Sequence, residues 1–291
     1  MSIIDTLSRA GREVDRVILQ YLKRGASIEF LPVVLHQVEA GGKRVRPALS
    51  ILSCEAAGGD REAALRPAAM MELIHNYSLI ADDIIDRGEV RRGLPTVRAK
   101  YSDAMALLAA MYYREVLEEI ANDCPKSDDV RKLMIETIEA TIEGERLDIL
   151  FEQAGRDENY IVKHRRKSVS WDQYFEMIGK KTATLIRASC LAGCLAANAS
   201  NDVTDALTGY GWKVGLGFQV TDDFLDVFGE RTGKEKGKDI IEHKLGNAVI
   251  LSAVEELGDK KANELLKILQ SSRANESKLK QALKLIDRTG A

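Results

Sequence analysis

The chain is poor in almost everything that breaks or cross-links a helix. It has five prolines in 291 residues, and aromatics make up only 5% of it. Its four cysteines, Cys54, Cys124, Cys190 and Cys194, include no Cys-x-x-Cys pair of the kind that holds zinc or runs redox chemistry. Cys54, Cys190 and Cys194 lie in apolar runs and read as small buried hydrophobes. Nothing points to a disulfide scaffold, and a reducing compartment is expected. The longest apolar runs, near 105–113 and 188–199, fall short of the ~20 residues that a membrane span needs. No signal-peptide apolar region opens the chain. An excess of one charge is missing too: the formal net charge is −3, so charge alone gives no reason to expect nucleic acid as a partner. The expectation is a soluble, cytoplasmic protein with at most peripheral membrane contact.

What is abundant is Leu, Ile, Ala, Glu and Lys, often at i, i+3 and i+4, which is helix composition and helix periodicity. The fold class expected is all-α, a single domain over 1–291 with no linker and no internal repeat. Helices are expected near 3–23, 28–39, 46–58, 61–87, 96–121, 127–153, 171–178, 180–198, 202–230, 239–256, 259–270 and 276–288. Gly58-Gly59-Asp60 reads as a stop followed by an N-cap, and Gly93-Leu94-Pro95-Thr96 as a second break and restart. The segments 61–87 and 202–228 are apolar on nearly all sides and are expected at the centre of a helical bundle. The polar stretch 153–169 holds the basic run Lys163-His164-Arg165-Arg166-Lys167. It reads as a surface loop with a helical turn. Docking onto anionic lipid is the sharper alternative to a plain solvated loop.

Both central segments carry the same acidic pattern, Asp-Asp-x-x-Asp: Asp82-Asp83-Ile84-Ile85-Asp86 and Asp222-Asp223-Phe224-Leu225-Asp226. On a helix, positions i and i+4 share a face, so Asp82 pairs with Asp86, with His75 two turns before them. Gln219, Asp222 and Asp226 share a face in the second. Carboxylates at ~6 Å with an effective dielectric of ~20 repel by roughly 3 kcal/mol per pair. A divalent cation relieves that, and an all-oxygen donor set without cysteine points to Mg²⁺. Mg²⁺ completes its shell with phosphate oxygens, so a diphosphate-like substrate is expected. One such motif alone is usually a solvated acidic face; two in apolar helices are hard to dismiss.

Basic residues complement the acids. Gly41-Gly42-Lys43-Arg44-Val45-Arg46-Pro47 sets three cations beside a glycine pair at a helix start, a fit to phosphate. Arg91-Arg92 is a second anion clamp, and Lys180-Lys181-Thr182, Lys234, Lys236, Lys238 and Lys244 are further candidates. Any one lysine alone is more often a surface charge.

Together these residues resemble the trans-isoprenyl diphosphate synthases, or polyprenyl synthetases, from about Gly41 to Asn247. The match runs through Gly-Gly-Lys-Arg-Val-Arg-Pro at 41–47, Glu72 to Ile80 leading into the first motif, and Arg91 to Thr96. It continues with Lys181-Thr182-Ala183, Gly217 to Val227, Gly233-Lys234 and Gly237-Lys238-Asp239. The resemblance implies the isoprenoid synthase fold, a helical bundle around a deep central pocket, and usually a homodimer. It implies that Asp82, Asp86 and Asp222, with Asp83 and Asp226 in the wider acidic set, hold about three Mg²⁺ ions on an allylic diphosphate. Arg91, Lys181, Gln219, Lys234 and Lys244 would contact that diphosphate, with Thr182 near the allylic cation. Gly42, Lys43, Arg46, His75 and Arg92 would bind isopentenyl diphosphate. Tyr77 and Ser78, just before the first motif, would set product length. An ideal helical wheel puts Tyr77 about 140° from Asp82, so its place in the pocket comes from the resemblance alone. An aromatic there, with no insertion in the first motif, is similar to archaeal-type synthases. Twenty carbons is the expected product, with fifteen and twenty-five as alternatives. Ala81, Ala110-Met111, Glu145 and Gly246 depart from the family pattern. A terpene cyclase usually lacks the basic Gly-Gly-Lys-Arg segment and the second motif, both present here. A non-catalytic partner subunit would tend to lose one of the motifs.

Overall fold

The five prolines sit where helices tolerate them or where they end. In a computed structural model, which describes residues 3–229, 237–271 and 276–290, Pro32 and Pro47 fall in the first turns of their helices, and Pro95 and Pro125 fall between helices. Pro67 alone is inside a helix, in its second turn. The missing proline elsewhere leaves long uninterrupted ladders. In order they are α1 Ile3–Gly25, α2 Leu31–Glu39, α3 Val45–Ala56 and α4 Arg61–Ile85, then a two-residue-strand hairpin, β1 Val90–Arg91 and β2 Leu94–Pro95. There follow α5 Val97–Tyr101, α6 Asp103–Asn122, α7 Ser127–Phe151, α8 Asn159–His164 and α9 Trp171–Ile178. A π turn, Gly179–Ala183, leads into α10 Thr184–Ala196 and α11 Asn201–Phe228. The chain closes with α12 Lys238–Ile241, α13 Ala248–Glu256, α14 Gly258–Leu269 and α15 Glu276–Ile286. The all-α class holds.

Two expected helices are split for local reasons. The helix expected over 96–121 is two: Ser102 turns out of helical geometry at φ 141°, and its hydroxyl caps α6 by accepting from the Met105 amide. The helix over 239–256 also splits, because His243 adopts φ 62° and Asn247 caps α13 through two amides, Val249 and Ile250. At the Gly93 break, Arg92 (φ 55°) and Gly93 (φ 78°) form the two-residue turn of the hairpin, both in the left-handed region that such turns require. Asp60 does cap α4, accepting from Glu62, and Gly58 sits at φ 80° before it.

The residues gather into two compact units. The first comprises 1–139 and 184–212, and the second 140–183 and 213–291. In the first, α4 packs on α3, α6 and α10, and its buried residues include Met70, Met71, Leu73, Ile74 and Ile80. This is the all-round apolar helix expected at a centre. In the second, Leu147, Phe151, Tyr174, Ile178, Val227, Ile250, Leu265 and Leu269 form the core. The companion expectation for 202–228 is not met in the same way: α11 leaves Tyr210, Phe218 and Phe224 about half exposed at 56%, 51% and 49%. Its buried positions include two acids, Asp223 and Asp226. All four cysteines are buried and unpaired, and none of the described helices is long and apolar enough to cross a membrane.

Candidate active site

In the first unit, the last turn of α4 carries Asp82 and Asp86. The Asp86 amide donates to the Asp82 carbonyl at 2.8 Å, so the two side chains leave the same helix face, and both are half-buried. A helix C-terminus concentrates partial negative charge, which favours a cation there. Asp83 points elsewhere. It is 4% exposed and takes three hydrogen bonds of 2.8–3.1 Å from the Arg91 guanidinium. Burial alone would lower the Arg91 pKa, but Asp83, backed by Asp82 and Asp86, raises it.

The basic segment divides in a way its composition does not reveal. Arg44 is a structural residue: it is 5% exposed, and its guanidinium donates to Asp15 at 2.8 Å, Glu72 at 3.0 Å, the Gly41 carbonyl at 2.9 Å and the Val38 carbonyl at 3.1 Å. Lys43 is exposed and Arg46 half-buried, with the Arg46 Nε buried and without a hydrogen-bond acceptor among the described residues. A Cβ on Gly42 (φ 147°) would lie 2.9 Å from the Arg92 guanidinium, so only glycine lets Arg92 come this close. Arg46, Arg92, Arg91 and Arg44 all press on His75. Burial first, then these four charges, hold its pKa well below 6.5. Burial likewise lowers Arg46 and Arg92. Clustered cations with an unsatisfied donor are a built site for a multivalent anion.

His75 supplies the first testable outcome. Its ring should stay neutral through pH 6.5 in the free protein. The unfolded chain takes up a proton there that the fold does not, so stability contributed by His75 falls as pH drops below ~6.5, by at most ~1.4 kcal/mol per pH unit. Adding inorganic pyrophosphate should raise the His75 pKa, read by NMR of the ring protons. An unshifted resonance at saturating pyrophosphate would place the anion elsewhere.

In the second unit the π turn carries Lys181 and Thr182. It is pinched between backbones: a Cβ on Gly144 of α7 would lie 2.3 Å from the Lys181 nitrogen, and one on Gly215 of α11 would lie 2.4 Å from the Ala183 Cα. Such turns recur at functional positions. Lys181 Nζ reaches Asp148 at 2.6 Å and Glu145 at 2.5 Å, and Lys244 Nζ reaches Asp148 and Glu242, each at 3.2 Å. The Thr182 hydroxyl donates to Gln219 at 2.8 Å, and Gln219 donates on to Asp223 at 2.9 Å. Asp223 also accepts from the Tyr174 hydroxyl at 2.7 Å and the Ala248 amide at 2.9 Å. Burial, against those bonds, pushes the Asp223 pKa up to about 7. Asp222 beside it is half-buried, and Asp226 is 7% exposed and accepts from the Asp239 amide at 3.2 Å.

Among the described residues no three His, Cys, Asp or Glu side chains form a closed ion cage. A Mg²⁺ ion takes one or two carboxylates from a protein and oxygens from phosphate and water for the rest. Asp82 and Asp86, half-buried on one helix face of the first unit, could hold such an ion, and so, separately, could Asp222 of the second; Asp83 and Asp226 are already engaged by protein donors. Lys234 and Lys236 lie outside the described residues.

Residues 29–286 match the family model for polyprenyl synthetase. The chain belongs to the polyprenyl synthetase family. It is 35% identical to the geranylgeranyl diphosphate synthase of Methanosarcina mazei, over 88% of this chain and 76% of that one. It is 35% identical to the short chain isoprenyl diphosphate synthase of Methanothermobacter thermautotrophicus, over 100% of this chain and 86% of that one. Among solved structures, the geranylgeranyl pyrophosphate synthetase from Pyrococcus horikoshii superposes with a TM-score of 0.86 at 30% identity, covering 98% of this chain and 86% of that one. The isoprenoid synthase fold is thereby established.

Within this polyprenyl synthetase, several polar residues escape a reading of motifs. Asp148, Tyr174 and Asn247 lie outside the motif segments, yet they orient the lysines and the second motif. Asn247 donates to Asp239 at 2.7 Å. The one available signal was an acid, Asp148, between Leu147 and Leu150 on a face that is otherwise buried. The basic run ends α8 and continues past it; Lys163, His164, Arg166 and Lys167 are exposed, while Arg165 is half-buried and donates to the Arg156 carbonyl.

Proposed function

We propose that this chain is a Mg²⁺-dependent trans-prenyltransferase. It condenses isopentenyl diphosphate with an allylic diphosphate, and its main product is geranylgeranyl diphosphate. One observation carries the reading. In each Asp-Asp-x-x-Asp motif the second aspartate is buried and consumed by the fold, Asp83 by Arg91 and Asp223 by Tyr174, Gln219 and Ala248. The first aspartate, Asp82 or Asp222, remains partly exposed. The fold thus spends the second acid to hold the first in place.

Asp82 and Asp86 in the first unit and Asp222 in the second would hold the metal. When bound, Mg²⁺ neutralises the diphosphate and makes it a better leaving group. Lys181 and Lys244 take up negative charge as the allylic C–O bond breaks and the electron pair leaves with the diphosphate. Arg46, Arg92, Lys43 and His75 hold isopentenyl diphosphate; its alkene forms the new C–C bond, and a proton then leaves to the departed diphosphate, since no side chain here is placed as an evident base. Thr182, oriented by Gln219, lines the path of the cation. The whole chain acts as one catalytic domain and pairs with a second copy, for which Leu107, Leu108 and Met111 on α6 offer an exposed apolar face.

Product length rests on Tyr77, which is partly buried against the first core, and on Ser78, tied to the His75 carbonyl at 2.9 Å. Incubation with labelled isopentenyl diphosphate and each allylic primer, followed by sizing of products, should give mainly twenty carbons. A main product of thirty or more would end the length assignment, and no turnover with any primer would favour a non-catalytic subunit. Tyr77→Ala removes a ring and should shift the main product up by one or two five-carbon units with the overall rate kept within ~10-fold, since the metal ligands are untouched.

A further inference from the structure

Lys181 is met by more negative charge than one anchor requires. Its Nζ and that of Lys244 share Asp148, whose side chain is 8% exposed; Glu145 closes on Lys181 and Glu242 on Lys244. Beside these two ammonium groups the described residues place three carboxylates, Asp148, Glu145 and Glu242. Asp148 is the better satisfied of these acids: both lysines donate to it, at 2.6 and 3.2 Å, and they hold its pKa far below the usual range against the cost of burial. Glu145 is different. Its Oε2 lies 2.5 Å from Lys181 Nζ as an ion pair, and among the described residues that buried oxygen accepts no hydrogen bond. Asp148 thus anchors the lysines, while Glu145 adds charge without adding a bond.

We infer that Glu145 is an internal competitor for Lys181 that makes diphosphate binding in the second unit depend on accompanying Mg²⁺. This rests on the prenyltransferase reading above, in which Lys181 and Lys244 receive the allylic diphosphate. An anion arriving without metal must displace Glu145 from Lys181. An anion arriving as its magnesium complex brings the cancelling charge with it. Asp148 is then a positioning residue, and Glu145 sets the order in which charge is supplied. The physical scale is that of one like charge a few Å from the ligand, which at an effective dielectric of ~20 corresponds to roughly ten- to a hundredfold in affinity.

The test is titration calorimetry of the full chain with inorganic pyrophosphate, first in EDTA and then across a series of Mg²⁺ concentrations. Glu145→Gln should bind metal-free pyrophosphate about ten- to a hundredfold more tightly than the parent and should reach half-saturation at a lower Mg²⁺ concentration. Glu145→Ala removes the same charge with a smaller side chain, so the comparison survives if glutamine distorts the π turn; thermal unfolding checks the fold of both. Asp148→Asn should move the other way, weakening binding with metal present, and Asp148→Glu should restore part of it. Binding to the parent that both Glu145 variants leave unchanged within twofold would overturn this inference alone. A parent that binds no pyrophosphate at any Mg²⁺ concentration would overturn it together with the prenyltransferase reading.

Discussion

Asp82→Ala and Asp222→Ala should each lower kcat/KM by about three orders of magnitude, or ~4 kcal/mol of transition-state stabilisation, with little change in Tm. Both side chains are half-buried, whereas the second aspartates beside them, Asp83 and Asp223, are buried, so removing either takes away little packing. Asp83→Ala should behave differently. It strands the Arg91 guanidinium, which loses three hydrogen bonds in a buried setting, so Tm should fall by several degrees and activity should fall less than for Asp82→Ala. Steady-state kinetics with Mg²⁺, paired with thermal unfolding, separates the two patterns. Equal loss of activity from Asp82→Ala and Asp83→Ala, with Tm unchanged in both, would remove the assignment of the first aspartate as ligand and the second as support.

The largest effect on stability is expected at Arg44, a position whose sequence setting suggests phosphate binding. Arg44 and Glu72 have side chains 4% and 3% exposed, and Asn76 donates to the same carboxylate oxygen at 3.2 Å. Burial pushes the Glu72 pKa up even with Arg44 and Arg46 nearby, so desolvation is already a heavy cost for this pair. Arg44→Met takes away four acceptors' donor and leaves a buried carboxylate uncompensated, which should cost about 3–5 kcal/mol at pH 7.5. For a chain of this size that is roughly 6–15 °C in Tm. The penalty should shrink toward pH 5. With Arg44 gone the Glu72 pKa rises further, so the carboxyl is neutralised by a proton as pH falls and the stranded charge disappears. Arg44→Met combined with Glu72→Leu should recover most of the loss at pH 7.5. Denaturant unfolding at both pH values reads all three; a penalty that grows on acidification would contradict the pairing.

These two cases show where a linear reading loses information. Gly41-Gly42-Lys43-Arg44-Val45-Arg46-Pro47 announces a cluster of cations, but nothing in seven residues says that the middle arginine turns inward to Asp15 and Glu72 while Arg46 and the distant Arg92 gather around His75. That division depends on Arg44 adopting φ 51° at the head of α3 and on acids contributed by α1 and α4. The aspartate motifs are similar: the period of a helix pairs Asp82 with Asp86, but only the hairpin that returns Arg91 to Asp83 decides which aspartate is tied down and which stays partly exposed.

The linear order of residues already sets the all-α class, most helix positions and the cap at Asp60. These follow from side-chain periodicity and from local backbone preference, which act over a few residues. Only the tertiary structure decided the splits at Ser102 and His243, the partial exposure of α11, the anchoring of Lys181 and Lys244 on Asp148, and the chain of bonds from Thr182 through Gln219 and Asp223 to Tyr174. Each of those depends on where a distant backbone or a buried charge comes to rest, and the cost of leaving such groups unsatisfied is settled by packing, not by sequence neighbours.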